Sequence, residues 1–189
     1  MIVFFHGGGF AFLSAASPAY DAAYCRIARY ASAAVLSVDY CRAPEHQFPA
    51  PYDDGLAALR FLDDPRNHPP LLPLDVAHCY VAGDSAGGNI AHHVARRYAL
   101  DPASFRNVRL RGLVAIQPFF GGEERTDSEL PLLENRSMGK DVRVAEYPDA
   151  IHAFYVFLFP VFEDTRDFII RIAEFVAESA PAAAASEQP

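Results

Sequence analysis

Cysteine is scarce. The 189 residues hold three, Cys25, Cys41 and Cys79, an odd number at no C-x-x-C spacing, which argues against a disulfide framework and a zinc knuckle. They read as buried free thiols in a reducing compartment. Basic charge is also short: 16 Lys and Arg against 24 Asp and Glu leave a formal charge of −8 with no basic cluster. Binding a phosphate backbone would work against that field, so nucleic acid is not an expected partner. Long apolar runs are missing too. The longest, Ile151 to Phe162, is interrupted by His152 and Pro160 and falls short of the roughly 18 residues of a membrane span, so no membrane association is expected. Met1 leads straight into Ile2-Val3-Phe4-Phe5 and His6-Gly7-Gly8-Gly9 without a basic leader, so the expectation is no signal peptide and a cytoplasmic location. What is present is apolar: 51% hydrophobic residues rule out intrinsic disorder, and the length suits one domain.

Residues 1–5, Ala34-Val35-Leu36 with Val38, and Val81-Ala82 after Tyr80 are continuously apolar, as in strands buried on both faces of a parallel sheet. Further short strands are expected at Gly112–Ile116 and Asp141–Tyr147. Ser17-Pro18 offers an N-cap and a first-turn proline before Tyr24, Ile27, Ala28 and Ala31 at helical spacing. Asp53-Asp54 opens a second helix carrying Leu56, Leu59 and Leu62, and Ile90, Val94 and Tyr98 stripe a third after Gly87-Gly88. Phe168, Ile169, Ile172, Phe175 and Val176 mark a last helix that Asp164 or Thr165 can cap. Alternating strands and helices imply an α/β fold, a parallel sheet with helices on both faces. The proline-rich stretch from Asp63 to Asp75 reads as a connector, residues 1–178 as the domain, and 179–189 as a disordered Ala-rich tail.

The strongest chemical signal is Gly83-Asp84-Ser85-Ala86-Gly87, a G-x-S-x-G that follows an expected strand and opens an expected helix. Small neighbours allow a sharp turn that lifts the Ser85 hydroxyl out of the sheet, and the helix start behind it aims N–H groups at developing negative charge. The bland alternative is a glycine-rich helix start. His6-Gly7-Gly8-Gly9 follows the first strand and matches a loop that supplies oxyanion-hole N–H groups; it lacks the lysine and hydroxyl of a phosphate-binding loop. His152 follows the expected strand 141–147, in the order serine then histidine, although a solitary histidine among aromatics is more often a packed core residue. His92 and His93 are adjacent, so they point about 100° apart on a helix and cannot form an i, i+4 metal pair. They read as surface or packing residues, and Arg42, Glu45 and His46 as braces of a turn. Ala77-His78-Cys79 near Ser85 is a protease decoy, since trypsin-like enzymes draw histidine and serine from distant parts of an all-β fold.

His6-Gly7-Gly8-Gly9-Phe10, Asp39-Tyr40 with Ala43-Pro44-Glu45-His46, Gly83-Asp84-Ser85-Ala86-Gly87-Gly88-Asn89 and Pro148-Asp149-Ala150-Ile151-His152 together resemble the plant carboxylesterases. These are hormone-sensitive-lipase-like α/β-hydrolases, a group that includes the gibberellin receptors. The resemblance touches most of residues 1–122 and 139–178. It implies an α/β-hydrolase fold, cleavage of small uncharged carboxylic esters, and no metal or organic cofactor. It further implies Ser85 as nucleophile, His152 as general base, and the N–H groups of Gly8, Gly9 and Ala86 as the oxyanion hole.

The chain also departs from that family. The family's acid, an aspartate in a Gly-x-Asp-Pro-Leu segment after an intervening strand, has no counterpart between Phe119 and Lys140. Asp127 and Asp141 match no acid position, and Asp149 belongs to the histidine motif. The expectation is therefore a shortened α/β-hydrolase, without the N-terminal strands, the pocket-covering segment and the acid-bearing strand, as from a shortened gene model or splice product. Strand 141–147 would then pair directly with strand 112–116, and activity would be feeble, since loss of the orienting acid costs about 10⁴-fold in turnover. Two alternatives stand beside a weakened esterase: an inactive fragment, and a receptor-like small-molecule binder. Against the latter, the gibberellin receptors have replaced the histidine and close a lid over the hormone, whereas this chain keeps His152 and lacks the lid.

Overall fold

The computed structural model describes residues 1–120, 143–156 and 163–178. Strand β1 (Ile2–Phe5) is buried along its whole length, with β2 (Val35–Val38) on one side and β3 (Cys79–Asp84) on the other. With β4 (Leu110–Ile116) beyond β3, the described sheet is parallel in the order β2-β1-β3-β4.

Side chains alternate across a strand, so β1 feeds two cores. Ile2 and Phe4 meet α1 (Pro18–Ala31) and α4 (Glu163–Glu178) on one face, while Val3 and Phe5 meet α2 (Ala50–Asp63) and α3 (Ala86–Leu100) on the other. Each helix turns an i, i+3, i+4, i+7 stripe inward, as Tyr20, Ala23, Tyr24 and Ile27 do on α1. Phe4 and Phe5 are fully buried, which stabilises the fold by about 1.5–3 kcal/mol each. Helix α4 packs closely over Gly112, where a Cβ would lie 2.6 Å from the Phe175 ring.

Several expectations need correction. Residues 143–147 form no strand and extend no ladder from β4; 141–142 lie outside the described residues. The alternation there never meets a half-buried surface: Val144 is 56% exposed, and α4 engages Arg143 through Glu178 and Tyr147 through Asp167. Helix α2 opens at Ala50 and not at Asp53, because Pro51 fits a first helical turn and Asp53 completes that turn. Ser17 is the N-cap of α1 by position, yet its Oγ accepts from Ser14 N–H and makes no cap bond. Asp164 and Thr165 lie inside α4, which begins at Glu163. All three cysteines are free, but only Cys79 is buried; Cys25 is exposed and Cys41 half-buried. The segment from Asp63 to Asp75 is a connector with one 3₁₀ turn, and the tail 179–189 lies outside the described residues.

Candidate active site

The carboxyl ends of β1, β3 and β4 lie side by side, Phe5 beside Gly83 and Asp84 beside Ile116, so their following loops share one rim. Ser85 occupies the turn between β3 and α3 at φ 50°, ψ −119°, a backbone region that disfavours a side chain. Three hydrogen bonds impose it. Ser85 N–H donates to Ile116 O at 3.0 Å, and Ser85 O accepts from Phe119 N at 2.9 Å and Asn89 N at 3.2 Å. The flanking glycines let the turn close: a Cβ on Gly83 would sit 2.3 Å from Gly87 O, and one on Gly87 would sit 2.1 Å from Phe5 O. Ser85 stays half-buried, and its Oγ makes no hydrogen bond among the described residues.

The loop after β1 is fixed one peptide at a time. Tyr40 O–H donates to His6 O at 2.8 Å, and Gly7 N–H donates to the Tyr20 hydroxyl at 2.8 Å, which holds the 6–7 peptide at both ends. His6 Nδ1 donates to Gly7 O at 2.6 Å, and Phe12 N–H donates to Gly8 O at 2.8 Å. In a trans peptide the carbonyl and the next N–H point in opposite directions. Anchoring Gly7 O and Gly8 O therefore turns Gly8 N–H and Gly9 N–H outward, and neither donates to another described residue. Gly8 sits at φ 112°, where a Cβ would also strike Phe12 O at 2.1 Å. Ala86 N–H is the first of α3 and has no carbonyl of its own helix to bond.

His6 is buried, stacks on Tyr40 at 4.3 Å and is held below its ordinary pKa by burial. Since a carbonyl only accepts, the bond to Gly7 O requires a proton on Nδ1, and Nε2 lies 3.8 Å from Asp39 Oδ1. Arg42 donates to Leu13 O and Asp39, and Ala43 N–H to Phe10 O, so Arg42 and its neighbour brace the loop that follows β1. Glu45 and His46 are exposed, His46 N–H closing the turn onto Arg42 O. His92 and His93 pack edge-on against Phe120 and Tyr52, the packing role read from sequence. Among the described residues no cluster of three or more His, Cys, Asp or Glu could hold a metal, and no helix is long and apolar enough to cross a membrane.

His152 lies in an exposed turn leading to the buried 3₁₀ turn Phe154–Val156. The next residue, Ala153, donates its N–H to Gln117 Oε1 at 2.7 Å, which ties the turn to the residue after β4. Gln117 in turn lies two residues before Phe119, whose N–H is bonded to Ser85 O. The structure thus brings His152 to the rim that carries Ser85 but forms no hydrogen bond between them. No carboxylate among the described residues bonds the His152 ring; Asp149 is exposed, and Asp127 and Asp141 lie outside the described residues.

Sequence reasoning passed over Asp84, Tyr20 and Gln117. Asp84 is 1% exposed, and its Oδ2 accepts from Tyr20 O–H at 2.7 Å. Burial pushes its pKa up, outweighing the opposing pull of the Tyr20 hydroxyl, and burial likewise raises that of Tyr20. The buried Tyr155 hydroxyl bears on the same carboxylate without a formed hydrogen bond. A polar residue ending the otherwise apolar β3, just before the serine, was the available signal; its partner on α1 was invisible without the fold.

Comparison with known proteins agrees with this geometry. A family described as alpha/beta hydrolase fold matches residues 2–136. Gibberellin receptor GID1 of Oryza sativa subsp. japonica is 42% identical over 132 residues, covering 68% of this chain and 35% of the receptor. Carboxylesterase 20 of Arabidopsis thaliana is 36% identical over 136 residues, covering 72% of this chain and 42% of that protein. The chain thus spans well under half the length of these curated relatives. Among solved structures, the Pyrobaculum calidifontis esterase superposes with TM-score 0.73 at 25% identity, covering 96% of this chain and 76% of that one. The metagenomic carboxylesterase EstE1 shares the fold with TM-score 0.79 at 22% identity, over 96% of this chain and 80% of its own. By the strand-turn-helix around Ser85, the loop after β1 and the match over residues 2–136, the chain belongs to the α/β-hydrolase fold family.

Proposed function

We propose that the chain is a serine carboxylesterase acting on small uncharged esters through an acyl-enzyme on Ser85. The observation that carries this is the strained Ser85 turn facing outward-turned N–H groups on a neighbouring loop. Ser85 Oγ attacks the ester carbonyl carbon while His152 takes its proton. Gly8, Gly9 and Ala86 N–H groups hold the oxyanion. Collapse of the tetrahedral intermediate breaks the bond to the alcohol, which leaves with the proton from His152. Water then repeats the sequence and frees the acid. No metal or organic cofactor enters these steps. With no described carboxylate orienting His152, turnover falls far below that of a full triad, by about 10⁴-fold on the scale of known acid-deletion variants. Residues 1–178 act as one domain, and the free thiols favour a cytoplasmic location.

A fluorophosphonate probe labels the wild type and not Ser85→Ala, and p-nitrophenyl acetate is cleaved feebly by the wild type alone. Equal labelling of both proteins refutes the assignment. A second reading, a receptor-like binder of small molecules, draws on the 42% identity to the rice receptor and the absent Ser85–His152 bond. Gibberellin binding by calorimetry without ester turnover would favour it. Neither labelling nor binding would leave an inactive chain.

A further inference from the structure

We propose that Asp84 is a positioning residue that holds the oxyanion loop in register with Ser85 through the hydroxyl of Tyr20; this rests on the esterase reading. The two ends of the strut are adjacent to the two halves of the site. Asp84 precedes the nucleophile, and Gly7 precedes the oxyanion donors Gly8 and Gly9. Between them stands one oxygen, 2.7 Å from Asp84 Oδ2 and 2.8 Å from Gly7 N.

Its polarity is fixed. Gly7 N–H can only donate, so the Tyr20 oxygen must accept there and spend its own proton on the carboxyl group. That arrangement needs an acceptor at position 84. A phenol hydrogen-bonded to a carboxyl group is a stronger clamp than a phenol alone, since such bonds polarise one another in a dry interior. The surroundings are dry: Tyr20 is 3% exposed and Asp84 1%. Position 7 must be glycine for the same reason, because a Cβ would fall 2.6 Å from Asp84 Oδ2 and 2.8 Å from the Tyr20 hydroxyl.

Burying a carboxyl group is costly, and Asp84 Oδ1 has no hydrogen-bond partner among the described residues. A purely structural demand at this point would be met better by an apolar side chain. The return lies in the loop. Among the described residues Gly7 N–H is the one N–H of the Gly7-Gly8-Gly9 run that donates, and it is the run's tie to the residue before Ser85. Releasing it leaves the run anchored through Gly7 O and Gly8 O alone, so both oxyanion donors shift relative to Ser85. Misplacement by about 1 Å costs on the order of 10²-fold in rate.

The test combines acylation kinetics with backbone exchange in the full chain. Tyr20→Phe slows fluorophosphonate labelling of Ser85 and lowers kcat for p-nitrophenyl acetate by about 10–100-fold, with KM changed by less than about threefold, because the loss falls on the transition state. Hydrogen exchange at Gly7 N–H, followed by NMR, accelerates at least about tenfold in the same variant. Asp84→Leu behaves likewise, whereas Asp84→Asn, which keeps an oxygen for the Tyr20 hydroxyl, recovers most of the labelling rate. Should Tyr20→Phe fail to fold, the Leu and Asn variants at position 84 give the same comparison. Labelling within about twofold of wild type in Tyr20→Phe, or unchanged Gly7 exchange, overturns the strut while the esterase reading stands. An unlabelled wild type overturns the esterase reading and this role with it.

Discussion

Replacing Ser85 by glycine should stabilise the protein relative to Ser85→Ala while both abolish acylation. At φ 50°, ψ −119° a Cβ crowds its own backbone, at about 1–3 kcal/mol for such regions. The turn cannot relax, since three backbone hydrogen bonds to Ile116, Phe119 and Asn89 hold it. Glycine removes that strain but brings about 0.5–1 kcal/mol of extra unfolded-state entropy. It also forgoes part of the roughly 0.8 kcal/mol from burying a methyl group, a small loss because Ser85 is half-buried. Alanine keeps the Cβ and the strain and lacks the hydroxyl equally, so the Gly-minus-Ala difference isolates the backbone effect. It comes to about 1 kcal/mol in favour of glycine. For a chain of this size that is about 2–4 °C in Tm, resolvable by urea titration or calorimetry. A Ser85→Gly protein no more stable than Ser85→Ala would refute the strained-turn account.

Gly87→Ala, which drives a Cβ to within 2.1 Å of Phe5 O, should destabilise by about 1–3 kcal/mol or more by urea titration; an unchanged midpoint would mean that α3 can retreat from β1 freely. His6, held below its ordinary 6.5 by burial, leaves the folded state short of protons relative to the unfolded chain. Stability is then lost as the pH falls below about 6.5, and His6→Gln should show a shallower acid-side decline in its urea midpoints. Asp84 has the opposite sign: its raised pKa keeps the proton on the folded state above 3.8, so stability declines as the pH rises from there. The urea midpoint of Asp84→Asn, relative to wild type, should therefore improve from about pH 3 to pH 7; a pH-independent difference would show that Asp84 does not titrate across this window.

What could be read from the sequence was what neighbouring residues decide among themselves. The apolar stretches of β1, β2 and β3 and the stripes of α1, α3 and α4 needed no partner to be recognised, because burial on both faces or on one stripe leaves its own period. Ser85 and the Gly7–Gly9 loop were legible for the same reason. A strained turn needs glycines at fixed offsets, and the contacts at Gly83 and Gly87 show why. Residues 143–147 misled because Val142 and Val144 alternate with charge, yet a two-residue alternation carries too little apolar area to compel pairing. Long side chains there are claimed by Glu178 and Asp167 of α4. The Asp84–Tyr20 pair escaped because its members lie 64 positions apart and only the packing of α1 on β3 joins them.

This division between local and distant determinants also explains why the two halves of the site differ in quality. Ser85 and the proposed oxyanion donors Gly8, Gly9 and Ala86 are held by β1, β3 and α3, which pack into the two cores, and the Gly7 and Gly8 carbonyls each have their own anchor. His152 sits in an exposed turn, closed by the Phe154 N–H to Ile151 O bond and tied to the residue after β4, among the described residues, through the Ala153 N–H to Gln117 bond; the segment that feeds it forms no strand. The proposed nucleophile and anion-binding parts are therefore held more firmly than the proposed base, whose ring makes no hydrogen bond among the described residues. Such a site should react with probes that need only an exposed hydroxyl and an oxyanion hole, and lag on substrates whose leaving group must be protonated. Labelling by a fluorophosphonate should accordingly survive Gln117→Ala better than turnover of an alkyl ester does, because loosening the His152 turn weakens proton transfer and leaves the anion-binding loop untouched. Equal losses in the two assays would show that Gln117 supports the Ser85 turn itself.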